Sequence, residues 1–266
     1  MEALGILIYP FIACVLLITA HAYFGVHILQ RGIVFVDLSL AQFIGLGIAF
    51  SFFIGEGDVS RQVFSLLFAV MGAAILSFSK HISKALNINI EALIGVLYIF
   101  SLSASILVLD RTPHGLEEFK AIMNGSILWV GPVELIATFA VYSVIGLFHF
   151  VFRKRFFRLS FENSGGILWE FLFFLSFAVV LVKSVQMAGI LQVFSFLVIP
   201  VLIGKLFTKD LKKILVLGWI IGTASSVFGL GLSYLYDLPA APLIVASLSM
   251  TFFMLLVFKY TFSPRR

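Results

Sequence analysis

The chain has 266 residues, of which 61% are hydrophobic and only 12% charged, with a formal net charge of +5 and a mean hydropathy of +1.14. Soluble domains carry about 25% charged residues, so this composition excludes a water-soluble fold and a disordered chain, and the single cysteine, Cys14, excludes a disulfide scaffold. A polytopic membrane protein remains, with almost no chain left over for a soluble domain.

About 20 apolar residues, rising 1.5 Å each, cross a bilayer's hydrocarbon. In chain order the apolar runs are 3–28, 32–54, 62–79, 92–109, 133–152, 171–204, 214–236 and 238–258. The sixth is too long for one ordinary span and is interrupted by Lys183, Gln186 and Gly189. That pattern predicts two passages joined by an outer turn over 184–189, whose Lys183 and Gln186 would line an outer vestibule or snorkel. The expected fold class is therefore all-α: a polytopic membrane helix bundle of about nine spans, eight or nine, in a single transmembrane domain over 1–266.

Lys and Arg favour cytoplasmic loops. With the N-terminus outside and the C-terminus cytoplasmic, 14 of the 18 basic residues lie inside, and only Arg61, Arg111, Lys120 and Lys183 lie outside. The positive charge is thus a topology signal suited to an anionic lipid surface and gives no reason to expect nucleic-acid binding. The outer loops, 55–60 and 110–126, are acidic, with Glu56, Asp58, Asp110, Glu117 and Glu118. No G-x-x-x-x-G-K-[ST], H-E-x-x-H, C-x-x-C or G-x-S-x-G motif occurs. The chain is read as no enzyme, without a nucleotide-binding domain and without a cofactor of its own.

An ionisable residue within a span is a functional candidate. Asp37 stands near the inner end of the second run, in the segment VDLSLAQ with Ser39 and Gln42. Ser39 and Gln42 are three residues apart and share a helix face, whereas Asp37 and Gln42 are five apart, about 140° around the helix. The functional reading is a polar pathway or gate; the alternative is that Asp37 caps or pairs at the interface, with Arg31 as a partner. His21 and His27 lie in the first run, six apart, so one helix cannot chelate a metal with both. Each offers one ligand or proton site, or a hydrogen-bonded interior histidine. His149 is expected at the interface.

Several segments, in order, resemble the permease subunits of metal-ion ABC importers, the zinc, manganese and iron uptake family. They are RGIVFVDLSLAQ (31–42) followed by GLG (45–47), EALIG (91–95), NGSIL (124–128), AGILQ (188–192) through FLVIP (196–200), and LSYLYDLPAAP (232–242). The resemblance covers roughly 3–258. Family members place an Asp four residues before a His in the early helix as proposed metal ligands. Aligned on Gly47, this chain has Leu38 and Gln42 there, with Asp37 one residue away.

The resemblance implies a homodimeric permease in the cytoplasmic (inner) membrane that moves a metal ion along a path lined by Asp37, Ser39, Gln42, His21 and His27. Asp37, His21 and His27 are the candidate metal ligands. It further implies a separate ATPase subunit that binds the ATP and an extracytoplasmic substrate-binding protein. The ATPase would dock on cytoplasmic segments around Ser160, Glu162, Lys209 and Asp210. A proton-coupled secondary transporter and an ABC permease for a non-metal solute are the alternatives.

Overall fold

The computed structural model describes residues 2–54, 57–162 and 164–262. Glu56, Arg265 and Arg266, which carry part of the expected loop and inner-face charge, lie outside them. In order the elements are α1 (Glu2–Arg31), α2 (Phe35–Ile54), α3 (Asp58–Leu86), α4 (Ile90–Leu109), α5 (Gly115–Asn124), a 3₁₀ turn (Ile127–Trp129), α6 (Pro132–Val151), α7 (Arg153–Phe161), α8 (Ile167–Phe207), α9 (Leu211–Tyr236) and α10 (Ala240–Phe262). No strand occurs among the described residues.

Among the described residues eight helices are long and apolar enough to cross a membrane: all α-helices but α5 and α7. α8 has 41 residues, about 60 Å of helix and twice the thickness of a hydrocarbon core. Its helical dihedrals break at one residue, Gly189 (φ 73°, ψ 166°). Residues 167–188 and 190–207 are therefore separate helical segments, about 33 and 27 Å long. The turn expected over 184–189 is absent. Residues 184–188 stay helical and the whole change of direction falls on one glycine, so the eight helices supply nine span-length segments.

The chain forms two compact units: Met1–Val26 with Ser126–Phe139 and Leu191–Arg266, and His27–Gly125 with Ala140–Ile190. In the second unit α2 packs against both α3 and α4. Small residues set that approach, as is usual between membrane helices: a Cβ on Gly47 would lie 2.6 Å from the Phe64 carbonyl oxygen, and one on Gly72 2.7 Å from Leu40 Cδ1. In the first unit α9 packs on α10. There a Cβ on Gly229 would lie 2.7 Å from Ile244 Cα, and one on Gly218 2.6 Å from the Pro200 carbonyl oxygen.

Two helix ends share one local design. α3 ends on Asn87 in the left-handed region (φ 53°), α9 on Asp237 (φ 51°). Each time a serine four residues earlier accepts from that residue's backbone N–H at its carbonyl, and its hydroxyl donates to the carbonyl of the next residue, Ser83 to Ile88 at 2.7 Å and Ser233 to Leu238 at 2.6 Å. Asn and Asp tolerate that backbone, and the paired bonds satisfy carbonyls a helix end leaves free. The next helix then starts at once: Asn89 caps α4 by accepting from the Glu91 and Ala92 N–H groups at 2.8 and 3.2 Å, and Pro239 precedes α10.

Candidate functional site

α2 is the most enclosed span, with 78% of its membrane window buried, against 17–39% for α1, α3, α4, α6, α9 and α10. Its polar residues are therefore withdrawn from lipid. Asp37 and Ser39 are fully buried and Gln42 is 1% exposed. Neither Asp37 carboxylate oxygen, nor the Ser39 hydroxyl, has a hydrogen-bond partner among the described residues. The cap or ion pair considered for Asp37 is absent: Arg31 is paired elsewhere, with Glu170. The Gln42 amide nitrogen donates to Met123 Sδ at 3.3 Å, which ties α2 to the end of α5. Asp37 lies in the first turn of α2, where the helix dipole favours a carboxylate. Asp37, Ser39 and Gln42 thus span about 7.5 Å of one enclosed helix, all with oxygen atoms to offer.

Beside this segment, α5 meets the break in α8. A Cβ on Gly125 would lie 2.2 Å from the Ala188 carbonyl carbon, and one on Gly189 2.3 Å from the Gly125 nitrogen. Both glycines have positive φ, 65° and 73°. Only glycine satisfies both the dihedral and the contact. Ile122 and Ile190 approach Gly45 of α2, their side chains 3.1 and 3.5 Å from where its Cβ would stand. The glycines of the NGSIL and AGILQ segments thus have a shared physical cause.

At the other end of this unit lies a polar cluster that sequence reasoning missed. Glu170, 2% exposed, pairs with Arg31 and, at 3.2 Å, with Lys80. The Arg31 guanidinium also faces the Phe173 and Phe174 rings at 5.2 and 5.0 Å. Glu91 accepts from the backbone N–H groups of Val34 at 2.5 Å and Phe35 at 3.4 Å, two of the donors that the start of α2 leaves without intrahelical partners. The ends of α1 and α3 and the starts of α2, α4 and α8 are thereby gathered at one end of the unit, as an alternating path through a membrane requires. Glu170 was detectable as an acid immediately before an apolar run on the basic side.

The remaining expected site residues are dispersed. His21 Nδ1 is 2.8 Å from the Leu17 carbonyl one turn back in its own helix. His27 Nδ1 is 2.9 Å from Ser160 Oγ, and its ring lies between Phe161 and Phe173. Among the described residues no three His, Cys, Asp or Glu side chains come together, so Asp37, His21 and His27 do not form one ligand cluster. His149, in the last turn of α6, is 2% exposed, 2.7 Å from Ser176 Oγ and stacked on Phe156 at 3.9 Å. Lys183 and Gln186 sit half-buried in the helical part of α8 before Gly189, not in a turn.

The short helix α7 is amphipathic. Phe156, Leu159 and Ser160 are buried, while Arg153, Lys154, Arg155 and Arg158 are exposed. Ser160 is turned inward, with its hydroxyl 2.9 Å from His27 Nδ1. Glu162 is exposed and 3.4 Å from Arg158. Lys209 and Asp210 are exposed in the turn before α9, where Asp210 caps the helix by accepting from the Lys213 N–H at 3.0 Å.

Three similarities bear on this arrangement. The chain is 25% identical over 271 residues to a Chlamydia pneumoniae protein named "Probable metal transport system membrane protein", covering 97% of this chain and 91% of that one. It is 23% identical over 235 residues to the manganese import system permease protein ScaB of Streptococcus gordonii, covering 86% and 82%. Its fold matches a chain of PsaBC from Streptococcus pneumoniae, solved in complex with Fab, with TM-score 0.77, 22% identity and 99% and 95% coverage. The ABC 3 transport family matches residues 4–259, and the chain belongs to that family as one of its multi-pass permeases.

Proposed function

We propose that this chain is the permease of an ATP-driven importer of a divalent transition-metal ion, with manganese the best-supported cargo of the zinc, manganese and iron group. The family match over nearly the whole chain carries the reading. The relatives named for metal and manganese transport support the cargo. Chemistry agrees with it: Asp37, Ser39 and Gln42 offer carboxylate, hydroxyl and amide oxygens, a hard donor set that suits manganese better than softer metals. A buried carboxylate without a partner is costly to keep, and passing cargo is a physical reason to keep it.

In this reading residues 1–266 act as one permease domain in the cytoplasmic membrane, N-terminus outside and C-terminus inside, and two copies form the core. Asp37, Ser39 and Gln42 line the path. His21 and His27 are held in place of lining it. A separate ATPase binds the ATP and docks on the exposed basic face of α7, on Glu162, and on Lys209 and Asp210. A substrate-binding protein delivers the ion to the outer end, near Lys183 and Gln186. Closure of the ATPase pair is transmitted through α7, which the His27–Ser160 contact fastens to α1. The test is radioactive manganese uptake into proteoliposomes holding this chain with its ATPase and binding protein. ATP-dependent accumulation is expected. Accumulation by the chain alone, driven by a proton gradient without ATP, would replace this reading with a secondary transporter.

A further inference from the structure

A cavity of about 350 Å³ opens at the polar end of the second unit. Its wall includes Gln30, Arg31, Lys80, Ser83, Lys84 and Ser160. Three of these side chains are cationic. The carboxylates nearby are already engaged: Glu170 by Arg31 and Lys80, and Glu91 by the backbone of Val34 and Phe35. Lys84 is exposed and enters no ion pair among the described residues. Arg31 is 8% exposed; one terminal nitrogen is taken by Glu170, while Nη1 is buried with no hydrogen-bond partner among the described residues. A buried guanidinium donor without an acceptor is costly, and guanidinium geometry matches two oxygens of a phosphate.

The surroundings also limit the ligand. The cavity sits where α1 and α3 end and α2 and α4 begin, the level of a membrane's headgroups if these helices span it. Ile33, Ile90 and Phe161 complete its wall, and Phe35, Ile82, Leu86 and Ile88 around these same helix ends are exposed and apolar. An anion there meets cations on one side and hydrocarbon on the other. We propose that this cavity binds the phosphate of an anionic membrane phospholipid, with Arg31 and Lys84 as its principal cationic contacts and Lys80 held ready by Glu170. The acyl chains would lie along the exposed apolar residues of α3. Because Arg31 and Ser160 are both in the wall, a bound lipid would also brace the α1–α7 junction.

The test uses the full-length protein in detergent micelles, titrated with phosphatidylglycerol or phosphatidylcholine, with bound lipid counted by native mass spectrometry. Selective retention of phosphatidylglycerol is expected. Lys84→Glu should weaken it about thirty-fold (about 2 kcal/mol), since the charge reversal removes one attraction to the phosphate and adds one repulsion of similar size. Gln30→Glu, a second exposed position, should weaken it as well, which keeps the test valid if the first variant fails to fold. Inorganic phosphate separates the two sources of the group: failure to displace the lipid is expected. Equal retention of both lipids, or retention unchanged in folded Lys84→Glu and Gln30→Glu, would overturn the site. Thermal protection by inorganic phosphate with no lipid retained would overturn the lipid assignment.

Discussion

Replacing Glu170 by Gln removes the carboxylate that holds Arg31 and Lys80 but keeps the side chain's size. Arg31 is 8% exposed and Glu170 2%, so most of the pair stands out of water. Removing one partner of a buried pair costs about 3–5 kcal/mol. The lower end applies here. Lys80, 20% exposed, can turn towards solvent, and the Phe173 and Phe174 rings keep part of the cation's stabilisation. The expected loss is about 3 kcal/mol, read by equilibrium unfolding in mixed micelles as SDS is added. Glu162→Gln is the internal control: its pair with Arg158 is more than half exposed on both sides, and such a pair is worth about 0.3–0.5 kcal/mol. Arg31→Met combined with Glu170→Met should recover most of the loss, because an apolar pair needs no desolvation. If Glu170→Gln lost no more stability than Glu162→Gln, the cluster would be hydrated and would not fasten these helix ends.

Other substitutions probe the rest of the arrangement. Gly189→Ala should abolish the folded yield by size-exclusion profile, since its Cβ would stand 2.3 Å from a backbone nitrogen at φ 73°; a normal profile would show that α8 need not break there. Asp37→Asn should fold at least as well as wild type, because it removes a buried charge with no hydrogen bond to lose, while manganese uptake by the assembled transporter should fall by about ten-fold, equivalent to about 1.4 kcal/mol; unchanged uptake would remove Asp37 from the path. Lys154→Glu together with Arg158→Glu neutralises the four exposed basic positions of α7 and should reduce ATPase co-purification without loss of fold. Ser160→Ala should instead cost about 1–3 kcal/mol of stability, by leaving a His27 ring nitrogen without its partner; the opposite pattern would mean that α7 docks through its buried side.

The membrane class and the all-helical fold are visible in the sequence because they depend on local properties. Apolar run length sets a span, and Asn87, Asn89, Asp210 and Asp237 end or start helices through bonds to neighbours a few residues away. Asp37 stands out as a candidate for the same reason: a charge inside an apolar run is conspicuous wherever the helix goes. Tertiary structure decided what required distant partners. Nothing near Glu170 in sequence announces Arg31, 139 positions away, nor does anything near His27 announce Ser160, 133 away. That second pairing joins an expected pathway histidine and an expected docking serine in one buried contact. The break at Gly189 was anticipated as a turn but confined to one residue, because only the meeting of α5 with α8 fixes where two backbones must pass within van der Waals contact.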